Sequence, residues 1–173
     1  MLKNNNKNII TLQILFMCYA VLLLMACGSI SYSSLLRKAN NSDKNIVLLF
    51  IYQIPSSRIQ EILNSNNKEI SVTNELKNIA QKQGLEIAYF KQQQLKRVVY
   101  SNQHLGETTT KGLFTDRGRI YVKYGEPDTI IDTDDEKYGK IQTWNYNNSE
   151  KSFIFLTNEE LNTFKLVNVY DED

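Results

Sequence analysis

The sequence predicts an α+β fold: an N-terminal strand and helices, followed by a small antiparallel sheet of three to four strands. Apolar residues recur at helical spacing through residues 56–105. After Pro127 the period falls to two in "DTIID", "KIQTWNYN", "KSFIFLT" and "TFKLVNVY". Polar turns separate those four runs, and helices followed by strands, instead of alternating with them, build an α+β layout.

The chain opens on "MLKNNNKN", polar and carrying only the positive charges of Lys3 and Lys7. Residues 9–26 follow, apolar apart from Thr11, Gln13 and Cys18, and lead into Cys27 through "LMAC", residues 24–27. A basic start, an apolar run and a small residue before the cut make a secretory signal. Its Leu-x-Ala-Cys ending resembles the lipobox of a bacterial lipoprotein. Ala26 suits a peptidase's small pocket, and Cys27 then supplies the sulfur that takes a thioether-linked lipid. Cys18 is the poorer site because bulky Met17 precedes it. The competing reading is an uncleaved anchor, since the 18 residues of 9–26 are just long enough to span a bilayer. With several acyl chains at about 0.8 kcal/mol per buried methylene, lipidation would hold the chain at a membrane essentially permanently. Cys27 would be the one cysteine left, which excludes an internal disulfide or a cysteine-based metal site.

The expected organisation is a signal peptide over residues 1–26, a flexible tether over 27–45 and a globular domain over 46–173. The 173 residues suit one domain of ordinary size, and 23% charged with 42% hydrophobic residues is a globular composition. The formal net charge is +1; without Lys3 and Lys7, 18 cations face 19 acids and the balance is −1. A near-neutral chain without a basic patch argues against nucleic acid as partner.

Taken in order, "GSISYSSLLRKANNSDKN" is rich in Ser and Asn and reads as the tether. "IVLLFIYQI", residues 46–54, reads as a short buried strand ended by Pro55. "SSRIQEILN" offers Ser56 or Ser57 as the cap of a short helix. In "SVTNELKNIAQKQG", Val72, Leu76, Ile79 and Ala80 share one helical face, with Thr73 as cap and Gly84 as stop. A longer helix follows, with Leu85, Ala88, Tyr89, Leu95, Val98, Val99 and Asn102 near one stripe that Gln92 interrupts. Asn147, Asn148 and Ser149 suit a tight hairpin turn.

"TDRGRIYVKYGEPD", residues 115–128, is the segment richest in residues with special backbone or recognition properties. Ile120, Val122 and Tyr124 alternate as in a strand. A short helix is favoured, because Thr115 or Asp116 caps well, Arg117, Ile120, Tyr121 and Tyr124 share a face, and Gly125 sits where a helix ends. Gly118 lowers helicity, and close packing against a neighbour is its best reason. Asp116 and Arg119 are spaced to pair.

"GLFTDRGRIYVKYGEPDTI", with "TWNY" and "FIFL" after it, resembles the GWxTD-domain family of bacterial envelope proteins. The matching positions are Gly112, Thr115, Asp116, Arg117, Gly118, Arg119, Tyr121, Tyr124, Gly125, Pro127, Asp128, Trp144 and Tyr146, and "RVVYSNQHL" resembles the helix leading into them. The resemblance spans about residues 46–170. Leu113 stands where the family has its naming tryptophan, and the Phe-Trp and Asp-Pro-x-Pro elements expected upstream are missing. The family implies an uncharacterised envelope domain and no reaction. A fainter likeness of layout joins the chain to the small SmpA/OmlA lipoproteins of outer-membrane protein assembly.

The chemical candidates divide by what their neighbours allow. His104 is the one histidine, beside a helix end and without a Cys or Ser nucleophile motif, which suits a solvated or capping role. "DTDDE", residues 132–136, alternates acids as a Ca²⁺ loop does but lacks its turn Gly and distant Glu, and reads as a hairpin loop. Asp116, Glu126 and Asp128 could meet as a carboxylate pair in a hydrolase or sugar-acting enzyme, or could form turns. Arg117 and Arg119, beside Tyr121 and Tyr124, could bind an extended peptide or an acidic group, or be neutralised by Asp116 and Asp128 in a structural corner. The expectation is a lipid-anchored periplasmic module, on the outer membrane of a diderm bacterium. It would have no cofactor, metal or catalytic residue, and would bind or organise an envelope protein partner.

Overall fold

The computed structural model describes residues 30–158 and 160–171, so the signal peptide and Cys27 lie outside the described residues. Among these, six helices precede one sheet: α1 (Tyr32–Lys38), α2 (Asn41–Phe50), α3 (Ser56–Asn64), α4 (Lys68–Lys82), α5 (Ile87–His104) and α6 (Asp116–Tyr124). A 3₁₀ turn, Gly112–Phe114, links α5 to α6. The strands are β1 (Thr129–Asp135), β2 (Gly139–Tyr146), β3 (Lys151–Asn158) and β4 (Thr163–Asp171). They lie in the order β1-β2-β3-β4 with every pair antiparallel. The α+β class and the four strands are as the sequence predicts.

The helical half departs from the sequence reading in five places. The expected tether is largely helix. Ser31 and Asn40 accept hydrogen bonds from the amides of Ser34 and Asp43, capping α1 and α2, and Leu35 is buried. The Ser and Asn residues thus start helices, which is the other use of those side chains. The strand expected over residues 46–54 is the end of α2 followed by a turn. A continuous apolar run fits either element, and here the Asn40 cap starts a helix upstream that carries Val47, Leu49 and Phe50 into the core. Pro55 then takes the cap position of α3 that Ser56 or Ser57 was expected to fill. α4 begins at Lys68, which leaves Thr73 inside the helix, while Gly84 ends it at a φ of +65° as expected.

The fifth departure is the buried stripe of α5, made of Phe90, Gln94, Val98 and Ser101. Tyr89, Leu95 and Val99 are exposed. Val98 is buried as expected and Leu85 packs against the core, but hydrophobicity alone misses Gln94, 1% exposed, which is buried with its hydrogen bonds made. Its amide donates to the Ile51 carbonyl at 3.1 Å and the Leu48 carbonyl at 3.5 Å, and its own oxygen accepts from Gln53 at 3.0 Å. Gln53 reaches on to the Val122 carbonyl of α6 at 3.1 Å. Two amide side chains therefore satisfy carbonyls at the ends of two helices, which would otherwise be orphaned in the core.

Three apolar clusters result. Leu35, Val47, Phe50, Ile59, Ile62 and Phe90 belong to the first, among α1–α5. Ile51, Val98, Leu113 and Val122 form the second, where α5 meets α6. Trp144, Tyr146, Phe153 and Phe155 line one face of the sheet and pack with Ile120, Tyr121 and Tyr124 of α6. The acidic run expected as a loop is mostly strand: residues 132–135 belong to β1, and Asp135 accepts the amides of Lys137 and Tyr138 to close the hairpin.

Gln94→Met, close in volume, is expected to destabilise the fold by about 1–3 kcal/mol, because the buried Ile51 carbonyl loses its partner and the Gln53 amide loses one of its acceptors. Urea unfolding of the variant should show a lower midpoint at an unchanged slope.

Candidate functional site

The motif positions converge where the 3₁₀ turn, α6 and the sheet meet. A side chain on Gly112 would collide with the carbonyl of Ser101 in α5, and one on Gly118 would collide with the carbonyl of Gly112. Three backbone segments are thus in direct contact, and only glycine permits it. Thr115, 2% exposed, binds this contact together. Its hydroxyl donates toward the Leu105 or Gly112 carbonyl, both at 2.9 Å, and accepts the Gly118 amide at 3.0 Å as the cap of α6. Asn102 accepts the Leu113 amide at 3.1 Å. The helix favoured by the sequence is the one formed, and Gly118 has the packing reason expected of it.

The carboxylates join helix to sheet. Asp116 pairs with Arg119, as its spacing predicts, and its second oxygen accepts the Leu166 amide of β4 at 2.8 Å. Glu107 accepts the Phe164 amide at 3.0 Å. These alternate amides lie along β4, an edge strand, so two side chains occupy backbone donors that would face outward. Asp128 accepts the Asn147 amide at 2.6 Å, and Asp128's own amide donates to the Asn145 carbonyl at 2.8 Å, which fixes the entry to β1 against the end of β2. Glu126 is exposed. Asp116 and Asp128 thus hold different strands.

The arginines part company. Arg119 is half exposed beside Asp116. Arg117 lies over the Phe164 ring, its guanidinium carbon 3.1 Å from the centroid, and reaches the Gln142 side-chain oxygen at 3.4 Å. Burial pulls its guanidinium down to about 10, against the opposing pull of Glu107 and Asp132. The expected neutralisation by both aspartates therefore holds for Arg119 with Asp116 alone. A third arginine, Arg97, caps the other end of α6: it donates to the Lys123 carbonyl at 3.3 Å and covers Gly125, whose φ of +93° ends the helix.

Aromatic residues complete the junction. The Tyr146 hydroxyl donates to the Gly125 carbonyl at 2.9 Å, and its ring lies 5.7 Å from Phe153 and 5.5 Å from Tyr124. Burial raises its phenol well above the usual tyrosine range. The Trp144 indole donates to Gln142 at 2.9 Å, and Gln142 donates to Asp132 at 2.9 Å. Tyr121 stacks on Tyr100 of α5 at 4.4 Å, and Tyr100 in turn meets His104 at 4.5 Å. Sequence reasoning missed Gln94, Gln142, Arg97 and Tyr100 as parts of this junction. The one available signal was that Arg97 and Tyr100 fall inside "RVVYSNQHL".

The GWxTD-domain family model matches residues 38–171. The chain belongs to the GWxTD-domain family. No curated protein and no solved structure matches it. In this GWxTD domain Leu113 occupies the naming tryptophan's place and is 3% exposed among Ile51, Val98 and Val122, with Tyr52 and Phe114 packed beside them. The Tyr52 hydroxyl donates to the Leu113 carbonyl at 2.9 Å from a backbone φ of +63°, a conformation rarely adopted by an aromatic residue. The family match begins at Lys38, within α1, upstream of the boundary expected at residue 46.

Gly118→Ala is expected to cost about 3 kcal/mol or more, since the clash is with backbone that has no rotamer to yield. Ser101→Ala should be neutral or stabilise by up to about 1 kcal/mol, because the buried Ser101 hydroxyl has no hydrogen-bond partner among the described residues. Thermal melts of both variants check the contrast. The raised phenols of Tyr52 and Tyr146 keep more protons on the folded chain than on the unfolded one, so their contribution is complete below the ordinary value of 10.0 and is lost as pH rises above it. Tyr146→Phe should lower stability at neutral pH yet make the alkaline decline shallower, read from melts between about pH 8 and pH 11.

Proposed function

We propose that this GWxTD domain is a lipid-anchored module of the bacterial envelope, on the periplasmic side, that binds or organises a protein partner and performs no chemistry itself. The observation that carries the reading is how the motif uses its polar groups. Asp116 accepts a backbone amide of β4, Asp128 accepts the amide just past β2, and Thr115 caps α6. What the junction offers to solvent is the edge of the Tyr100–Tyr121 stack, the His104 ring and the half-exposed Arg119. Aromatic and guanidinium groups on a rigid platform suit protein recognition.

The lipid attachment is supported by the "LMAC" ending of the apolar segment, which places Cys27 immediately before the helical domain. Among the described residues no helix is long and apolar enough to cross a membrane. The outer membrane is the proposed location and an envelope protein the proposed partner.

Mass spectrometry of the purified protein should find an acylated Cys27 at the new N-terminus, and Cys27→Ala should release the protein from membranes. An unmodified, soluble wild-type product would overturn the anchor. Photo-crosslinkers placed at Arg119 and Tyr121 in intact cells should capture one recurrent protein. A purified domain that turned over a substrate would overturn the non-catalytic reading.

A further inference from the structure

The outward face of α5 is a feature that the motif does not explain. α5 buries Phe90, Gln94, Val98 and Ser101 and leaves Tyr89 at 51%, Leu95 at 46%, Val99 at 53% and Tyr100 at 41% exposure. A shallow depression of about 420 Å³ lies on this face, lined by Gln92, Leu95, Lys96, Val99, Tyr100 and Gln103, all of α5. Gln92, Leu95, Val99 and Gln103 follow one another at steps of three, four and four, a row of three helical turns and roughly 16 Å. Such a row is the half-seam that a second helix fills.

Charge selects the occupant. From Ile87 to His104 the helix has no Asp or Glu, while Lys91 and Lys96 are exposed on it and Arg97 is turned to α6 and Gly125. A second copy of this chain, paired through the same helix, would bring no carboxylate to Lys91 and Lys96, since its own α5 has none. A bilayer interior would leave the Gln92 and Gln103 amides and the Lys96 ammonium, which sit along this face, without partners. A helix with apolar residues in its seam and carboxylates at its flanks satisfies both sets of groups. Tyr100 is held for contact in advance by its stack on Tyr121, so the row runs without a break into the motif.

We infer that the exposed face of α5 is the docking surface for an acidic amphipathic helix of the partner protein. This rests on the binding role proposed above and specifies its chemistry.

The test uses the full chain and a synthetic helix about three heptads long, with Leu at its seam and Glu at its flanks. The counterpart has Lys at the flanks, and the like charges keep each peptide from pairing with itself. Fluorescence anisotropy should show the Glu-flanked helix binding at least about tenfold more tightly than the Lys-flanked one. Leu95→Asp and Val99→Asp should each abolish that binding while their melts match the wild type, and Ile131→Asp on β1 should leave it unchanged. Lys91→Glu with Lys96→Glu should reverse the preference between the peptides.

Equal binding of both peptides, binding only to phosphatidylglycerol vesicles, or a dimer that Val99→Asp dissolves would each overturn the inference. If any of these occurs while crosslinkers at Tyr121 still capture one recurrent protein, the binding role stands and the helix partner does not. If those crosslinkers also capture nothing, the binding role fails with it.

Discussion

The contact among three backbones, at Ser101, Gly112 and Gly118, sets the geometry on which the rest depends. Side-chain packing holds helices about 8–10 Å apart, so backbone-to-backbone contact needs residues that present nothing but hydrogen at the crossing. Once the 3₁₀ turn lies against α5 and α6 against the turn, the direction of α6 is set. So are the places where Asp116, Arg117 and Tyr121 leave it. Thr115 adds the hydrogen bonds that stop the contact from sliding.

The sheet is attached by side chains that reach backbone. Asp116 and Glu107 take amides of β4, Asp128 takes an amide just past β2, and Tyr146 returns a hydroxyl to the Gly125 carbonyl. A helix laid on a sheet by apolar contact alone can rotate over it, whereas directional bonds to named amides fix one orientation. The same bonds cover donors on the β4 edge, which lowers the tendency of that strand to pair with another chain. A motif that looks rich in chemistry thereby serves architecture. Its rim, Tyr121 on Tyr100 beside Arg119, is what remains for recognition.

The legible parts of the sequence were those whose signal is local. The four strands followed from alternation, the helix after Thr115 from its cap and its closing glycine, and the Asp116–Arg119 pair from spacing. The misread parts were those where one local signal serves two structures. Ser and Asn in residues 28–45 suit a tether or a set of caps, and the run at residues 46–54 suits a buried strand or the inner side of a helix. On α5 the one stripe read from hydrophobicity was right at Val98 and wrong at Tyr89, Leu95 and Val99, which face outward while Gln94 is buried against the carbonyls of Leu48 and Ile51.

What the sequence by itself determined is the set of backbone permissions and periods: where glycine allows contact or a positive φ, where a cap can start a helix, where side chains alternate, and membership of the GWxTD-domain family through the motif. Only the tertiary structure decided the partners of the polar groups. It placed Arg117 on Phe164 with Gln142, left Arg119 to Asp116, and sent Asp116 and Glu107 to β4. The reason is range. Caps and periods are settled within a few residues along the chain, whereas Leu166 meets Asp116 across 50 residues of sequence. No local pattern encodes which amide will be left open there until the strands have paired.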